Sequence, residues 1–367
     1  MRAFVFASLT AIVIAGAAAS AGDRPAYSYA IVVEAPGSLQ DALRNQLRDG
    51  FTCAAVARSV GITLAKTAAV VLTRAADPQA APPATAGVRV ITATPDGVGE
   101  LAQQLDAAAS DGYGVCGLTL TTPVWGRPGG AYAVVVVLTR TTTAPTGVTY
   151  RAFHETGRRG EWAEVQRGAA AGFLAAHVAS RPQPDVSSTS DMVYLAEKTA
   201  TSRPMTYDIE LGGNGPGLQK DLNKALARGF CAAQATWATP ERMILLLARP
   251  VDGPCDAAHE YKVNESSGFM GLNVSSTDGT LLGLHRVNDA TMALYDRRGA
   301  AIEYRSIESV LPDEDSHPLR PSREHRTLVD KLNADGDSGF RPVDVAWRAG
   351  AVEQARAVDV ILARPRD

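Results

Sequence analysis

The sequence predicts an α+β protein assembled from about six tandem βαββ units, and three recurring phrases predict it. The first is a helical stretch closed by glycine and, in most copies, an aromatic residue. It reads Gly50-Phe51, Gly112-Tyr113, Gly172-Phe173, Gly229-Phe230, Gly279-Thr280 and Gly339-Phe340, with the glycines 62, 60, 57, 50 and 60 residues apart. The second is an apolar strand ending in a cation: Arg74, Arg140, Lys198, Arg249, Arg297 and Arg364. The third opens each unit around a tyrosine or valine, as in Tyr27-Ser28-Tyr29, Val88-Arg89-Val90 and Met205-Thr206-Tyr207. A regular step of this kind marks a repeat architecture.

Each element follows from its pattern. The opening phrase alternates with period two, the mark of a strand with one buried face. The helix carries an apolar stripe at spacings of three and four: Leu39, Leu43, Leu47 in unit one, Val98, Leu101, Leu105 in unit two, Leu218, Leu222, Leu226 in unit four, and Leu328, Leu332 in unit six. Ser38 with Asp41 is a candidate capping box, and Ser322 a candidate N-cap. The glycine suits a helix end in the left-handed conformation, which a β-carbon disfavours. The third strand is the most continuously apolar, as in Val134-Val135-Val136-Val137-Leu138, and suits a sheet centre covered on both faces. A helical crossover makes the first two strands parallel, and the third returns by hairpin between them. The sheet is therefore antiparallel, in spatial order 1-3-2, with the helix on one face.

The other face is also apolar, so units should stack, either as one array or as two three-unit halves divided near Thr199–Pro204. Exposed edge strands are a liability, and joining edges between units would resolve it. The unit boundaries are 22–80, 81–145, 146–202, 203–256, 257–299 and 300–367. Unit five is the least regular, with a short helix expected over Phe269–Thr277.

Residues 1–21 read as a secretory signal: Arg2, an apolar run through Ala15, then Ala19-Ser20-Ala21 as cleavage site. The mature chain, starting near Gly22, is expected in the periplasm or outside the cell, with no membrane span. Net charge is −3, or −4 once Arg2 is removed, with no long run of one sign. That pattern argues against a nucleic-acid partner.

Glu260-Tyr261-Lys262-Val263, Leu332-Asn333-Ala334-Asp335-Gly336-Asp337-Ser338-Gly339-Phe340-Arg341-Pro342-Val343, Leu138-Thr139-Arg140 and Leu362-Ala363-Arg364 carry a further signal. They resemble a family of small bacterial βαββ domains of unknown function. Its members open E-Y-K-V-V, pass L-N-x-x-G-x-x-G-W-E-L-V and close V-L-K-R. This chain departs in having Phe or Tyr for Trp, and no Glu after it. The resemblance implies the fold and carries no active site.

Candidate chemistry is sparse, and no residue earns a catalytic role. Gly212-Gly213-Asn214-Gly215-Pro216-Gly217 lies between strand and helix, but Leu218 breaks the phosphate-loop spacing. Asn333 to Asp344 has the oxygens of a calcium loop, with Ser338 where Gly belongs and Asp344 where Glu belongs. It reads as a solvated turn, so neither metal nor cofactor is expected. The histidines, 154, 177, 259, 285, 317 and 325, form no metal-binding pair on a helix. The strand-end cations read as solubility gatekeepers, or as a rim for an anionic ligand. Four cysteines in an exported chain favour disulfides. Cys231 and Cys255 flank one hairpin, whereas Cys53 and Cys116 would pair only if units one and two meet at that end. The expectation is an exported, non-catalytic binding or scaffolding module of the bacterial envelope, with an unidentified protein or small-ligand partner. The alternatives are a hydrolase-like periplasmic enzyme with a site between the halves, and a purely structural envelope protein.

Overall fold

The computed structural model describes residues 26–60, 67–76, 85–122, 132–141, 147–156, 163–182, 190–230, 232–238, 243–253, 260–267, 279–287, 290–297, 302–312, 323–349 and 355–365. The export segment, Ser322, the helix expected over Phe269–Thr277, and Cys231 with Cys255 lie outside them.

Unit one contains β1 (Tyr27–Glu34), α1 (Pro36–Arg48), β2 (Thr52–Val56), the short β3 (Arg58–Val60) and β4 (Ala68–Ala75). Unit two contains β5 (Thr85–Ala93), α2 (Val98–Ser110), β6 (Tyr113–Thr121) and β7 (Ala133–Thr141). Unit three has β8 (Thr149–Thr156), α3 (Ala163–Ala170), β9 (Leu174–Pro182) and β10 (Ser190–Lys198). Unit four has β11 (Met205–Gly212), α4 (Gly215–Ala227), β12 (Ala232–Ala238) and β13 (Met243–Pro250). Unit five shows β14 (Tyr261–Ser267), β15 (Thr280–Val287) and β16 (Ala290–Asp296). Unit six shows β17 (Ile302–Pro312), α5 (Arg323–Gly336), β18 (Arg341–Ala349) and β19 (Ala355–Pro365). The three main strands of every unit form an antiparallel sheet in the order first–third–second, as predicted, and the sheet of unit six gains β3 as a fourth strand.

The recurring glycine does what its position predicts. Gly50, Gly112, Gly172, Gly229, Gly279 and Gly339 have φ of 82°, 82°, 86°, 86°, 106° and 83°. That is the left-handed region, where a side chain is strained. In units three, four and six the chain then closes a Schellman-type end, with Phe173, Phe230 and Phe340 N–H donating back to Gly168, Ala225 and Asp335 carbonyls.

The third strand serves two cores at once, which explains its unbroken apolar run. In β7, Val134, Val136 and Leu138 face unit three, while Val135 and Val137 face unit one. In β19, Val360 and Leu362 face unit one, while Ile361 and Ala363 face unit five. Full burial of one such side chain contributes about 1.5–3 kcal/mol. Six core clusters result, one at each junction, including that between units three and four, so the array is continuous and not divided into halves.

The array closes on itself. α1 packs on β5, α2 on β8, α3 on β11, α4 on β14, and α5 returns to pack on β1. The last junction buries Tyr27, Tyr29 and Val71 of unit one against Leu328, Leu332 and Phe340 of unit six. Second strands of successive units touch from β18 through β2, β6, β9 and β12 to β15, so they surround the centre of the ring. Each carries a one-residue irregularity near its start, for example between Cys53 and Ala55 or Pro342 and Asp344. Bulges of this kind bend a strand and increase its twist. The extra strand β3 pairs in parallel with β18 and also packs on β6 and β9.

Two expectations change. Among the described residues edges are not joined between units, β3–β18 excepted; the outer edges of β1, β5, β8, β11 and β14 are met by the preceding helix instead. Helix α1 begins at Pro36, with Ala35 as N-cap, so Ser38 and Asp41 form no capping box. Proline at the first helical position is pre-set for the helix. Ser38 Oγ instead donates to Glu34 (2.8 Å), and Asp41 pairs with Arg44 (2.6 Å).

Candidate functional site

The chemistry-bearing side chains fall at the junctions and at the two rims. A polar residue on each described helix reaches the edge of the next unit's first strand. Gln40 Oε1 accepts from Val90 N–H (3.0 Å), Asp106 Oδ1 from Tyr150 N–H (2.6 Å), Gln166 Oε1 from Tyr207 N–H (3.0 Å) and Gln219 Oε1 from Val263 N–H (2.8 Å). Asn333 Oδ1 accepts from Tyr29 N–H (2.6 Å) and closes the circle. Gln166 and Gln219 also donate to the Tyr207 and Tyr261 carbonyls, at 2.5 and 3.1 Å. A side-chain amide, or the Asp106 carboxylate in unit two, thus imitates a neighbouring strand and satisfies an edge that would otherwise be open. The latch residues lie ten residues before Gly50 and Gly229, and six before Gly112, Gly172 and Gly339. Those offsets differ by one helical turn, which is the signal in the sequence that could have found them.

A second latch is the tyrosine of the opening phrase. Tyr207 hydroxyl accepts from Ala175 N–H (2.9 Å), and Tyr304 hydroxyl from Leu281 N–H (2.6 Å), each in the preceding unit. Tyr150 likewise bonds the backbone of Val115. Tyr29 donates to the Phe340 carbonyl, because the residue in register with Ala175 is Pro342, which has no N–H. Burial pushes all four phenols up, that of Tyr304 to about 12. In unit two the equivalent residue is Val88. That junction, and no other among the described residues, carries a disulfide: Cys53 to Cys116, with Cα atoms 6.3 Å apart.

The helix C-termini share one rim, and the strand-end cations meet there. Arg74 lies over Phe51 (4.6 Å), Arg140 over Tyr113 (5.4 Å), Lys198 over Phe173 (5.5 Å), Arg249 over Phe230 (5.0 Å) and Arg364 over Phe340 (4.4 Å). Arg74, Arg249 and Arg364 also donate to carbonyls at the helix end, those of Asp49 (2.8 Å), Arg228 (3.1 Å) and Ser338 (2.9 Å). A cation on an aromatic face, at the negative end of the helix dipole, is a structural clamp.

The other candidates resolve in place. Asn214 accepts from Gly217 N–H (2.8 Å), and Glu265 of unit five from Gly215 N–H (2.6 Å). The start of α4 is thus already met by protein oxygens, one of them a carboxylate, which disfavours a phosphate there. Asn333 is in α5 as a latch, and Asp335 pairs with Arg305 at 2.5 Å. Among the described residues no group of three or more His, Cys, Asp or Glu is placed to hold a metal ion. His154 Nε2 meets Tyr132 hydroxyl at 3.2 Å. His177 lies 3.9 Å from Glu197 on the unit-two face of its sheet; desolvation lowers the imidazole to about 4 and raises the carboxyl. His259 and His317, and the side chains of His285 and His325, lie outside what is described. No helix of the described residues is long and apolar enough to cross a membrane.

These features define a closed ring of six α+β units joined by repeated polar latches. No family model matches the chain, and no curated protein or solved structure matches it.

Proposed function

We propose that the chain is an exported, non-catalytic binding or scaffolding module of the bacterial cell envelope. One observation carries the reading: unit six docks on unit one and closes the array. A closed ring holds the connections of all its units on a fixed frame, and loops on a rigid frame are where proteins place binding surfaces. The repeated polar positions support it, since the helix latches and the tyrosines join successive units, while the strand-end cations clamp the helix end of their own unit. The likeness of each unit to the small bacterial βαββ domains belongs to the same proposal.

The test is capture of envelope proteins by the tagged full chain, against the chain with Gly336→Ala, which is designed to open the ring. A stoichiometric partner that is lost with closure supports the reading. Turnover of an ester, peptide or glycoside substrate by the purified chain would instead favour the hydrolase-like enzyme. That reading draws on the His177–Glu197 pair, an imidazole lowered and a carboxyl raised by burial.

A further inference from the structure

The glycine rim is not uniform. In units two, three and six a first-strand cation and a third-strand cation flank the same ring: Arg89 and Arg140 at Tyr113, Arg151 and Lys198 at Phe173, Arg305 and Arg364 at Phe340. Arg151 pairs with Ala196 and Lys198 with Thr149, so the two unit-three cations are diagonal neighbours on one face of the sheet. Like charges so placed repel. Unit two offsets this with Asp111, 3.1 Å from Arg89. Unit six does so with Asp335 on Arg305 (2.5 Å) and Glu303 on Arg364 (2.6 Å).

Unit three lacks both devices. The residue before the glycine is Asp49 in unit one and Asp111 in unit two, but Ala171 in unit three. The residue opposite the third-strand cation is Glu303 in unit six, but Thr149 in unit three. Among the described residues, Arg151 (4.6 Å) and Lys198 (5.5 Å) contact Phe173 and have no carboxylate partner. The Ser202–Arg203 backbone lies alongside, against Gly172.

We propose that Arg151 and Lys198, with Phe173 between them, form a binding site for an oxyanion group, phosphate, sulfate or carboxylate, on the glycine rim beside the junction of units three and four. The anion takes the place that Asp111, or Asp335 with Glu303, fills in units two and six. A guanidinium offers a two-pronged match to such a group, and an ammonium adds a point charge. This rests on the reading of the chain as a binding module, and it names the chemistry of one ligand.

The experiment is calorimetric titration of the full chain with inorganic phosphate. Ala171→Asp and Thr149→Glu, both at exposed positions, install the carboxylates of the other units and so occupy the site from within while leaving the fold intact. Each is expected to weaken phosphate binding at least tenfold. Arg140→Gln, in the neutralised cluster of unit two, should leave it within twofold. Co-sedimentation with phosphatidylglycerol vesicles, against phosphatidylcholine alone, separates a lipid headgroup from a free oxyanion as the source. Loss in the carboxylate variants supports the site for whichever probe binds. Wild-type chain that binds no phosphate at millimolar concentration, or carboxylate variants that bind as tightly as wild type, overturn it. Partner capture uses no phosphate, so a chain that keeps its partner but binds no anion refutes this site alone.

Discussion

Removing the Cys53–Cys116 disulfide should loosen the junction of units one and two more than any other single change there. In units one, three, four and six a buried tyrosine ties the first strand to the preceding unit, as Tyr207 ties β11 to Ala175. Here Val88 supplies no hydroxyl, and the covalent bond holds the junction instead. The cysteines are 63 residues apart in sequence. The chain-entropy relation for a loop of that length gives about 14 cal/mol/K, or about 4 kcal/mol at 25 °C, with measured values often nearer 2. If the ring unfolds as one unit of roughly 345 residues, about 4 kcal/mol lowers the melting temperature by about 6 °C. The assay is urea unfolding of wild type, oxidised and reduced, and of Cys53→Ser/Cys116→Ser. The midpoint should fall in the double variant relative to oxidised wild type, with little change in slope, and reduction should lower it at least as far. An unchanged midpoint in the double variant would show that the core between Val56, Leu72, Val135 and Val137 suffices, and would sink the argument that the bond replaces the tyrosine.

Other expectations follow from the same geometry. Gln219→Ala deletes an acceptor for Val263 N–H and a donor to Tyr261; each unsatisfied group costs about 1–3 kcal/mol if water cannot reach it, and hydrogen exchange at Val263 should speed up. Gly336→Ala drives a β-carbon into the Tyr27 carbonyl and the Tyr29 ring, so the ring should open between units six and one, seen as a larger radius of gyration in solution scattering. His177 is held neutral by burial, at about 4 against an ordinary 6.5. Its contribution is complete above pH 6.5 and is lost as pH falls toward 4, by at most about 3 kcal/mol. Glu197, raised by burial, works in the opposite sense, so the comparison is wild type with His177→Asn, whose stability should fall less between those pH values in denaturant titrations.

The repeated unit was legible because it is local. A glycine that must be left-handed, a helical stripe and a third strand apolar on both faces all act within about 60 residues. The continuous run Val134–Leu138 even implied two cores. What the sequence hid was non-local. Gln40, Gln166 and Gln219 look like solvated helix residues until the next unit's strand edge is placed beside them. The joining of edges was the wrong solution to a correctly recognised liability, because a helix side chain does the same work without sliding one sheet against another. In the sequence the strand-end cations read as gatekeepers or as an anion rim, and their aromatic partners, about 20 residues away or more, are evident only once the glycine turns each ring back over the sheet. The Cys53–Cys116 pairing depended on which units meet, which periodicity does not state.

Closure explains why the terminal units need no special caps. In an open array each end unit leaves one apolar face without a neighbour, and polar capping repeats cover it. Here the exposed face of unit one would include Tyr27, Tyr29, Ile31 and Val71, and that of unit six Leu328, Leu332 and Val360; both are as apolar as any internal junction. Neither is stable in water alone, and each covers the other. The parallel β3–β18 pair, the Asn333 latch and the tight approach of Gly336 to Tyr27 then fix the register of closure. A chain cut short by one unit therefore loses more than that unit, because it leaves two apolar faces without partners. Truncation should yield association between copies, not a smaller ring, and stability should fall by more than one unit's own core accounts for.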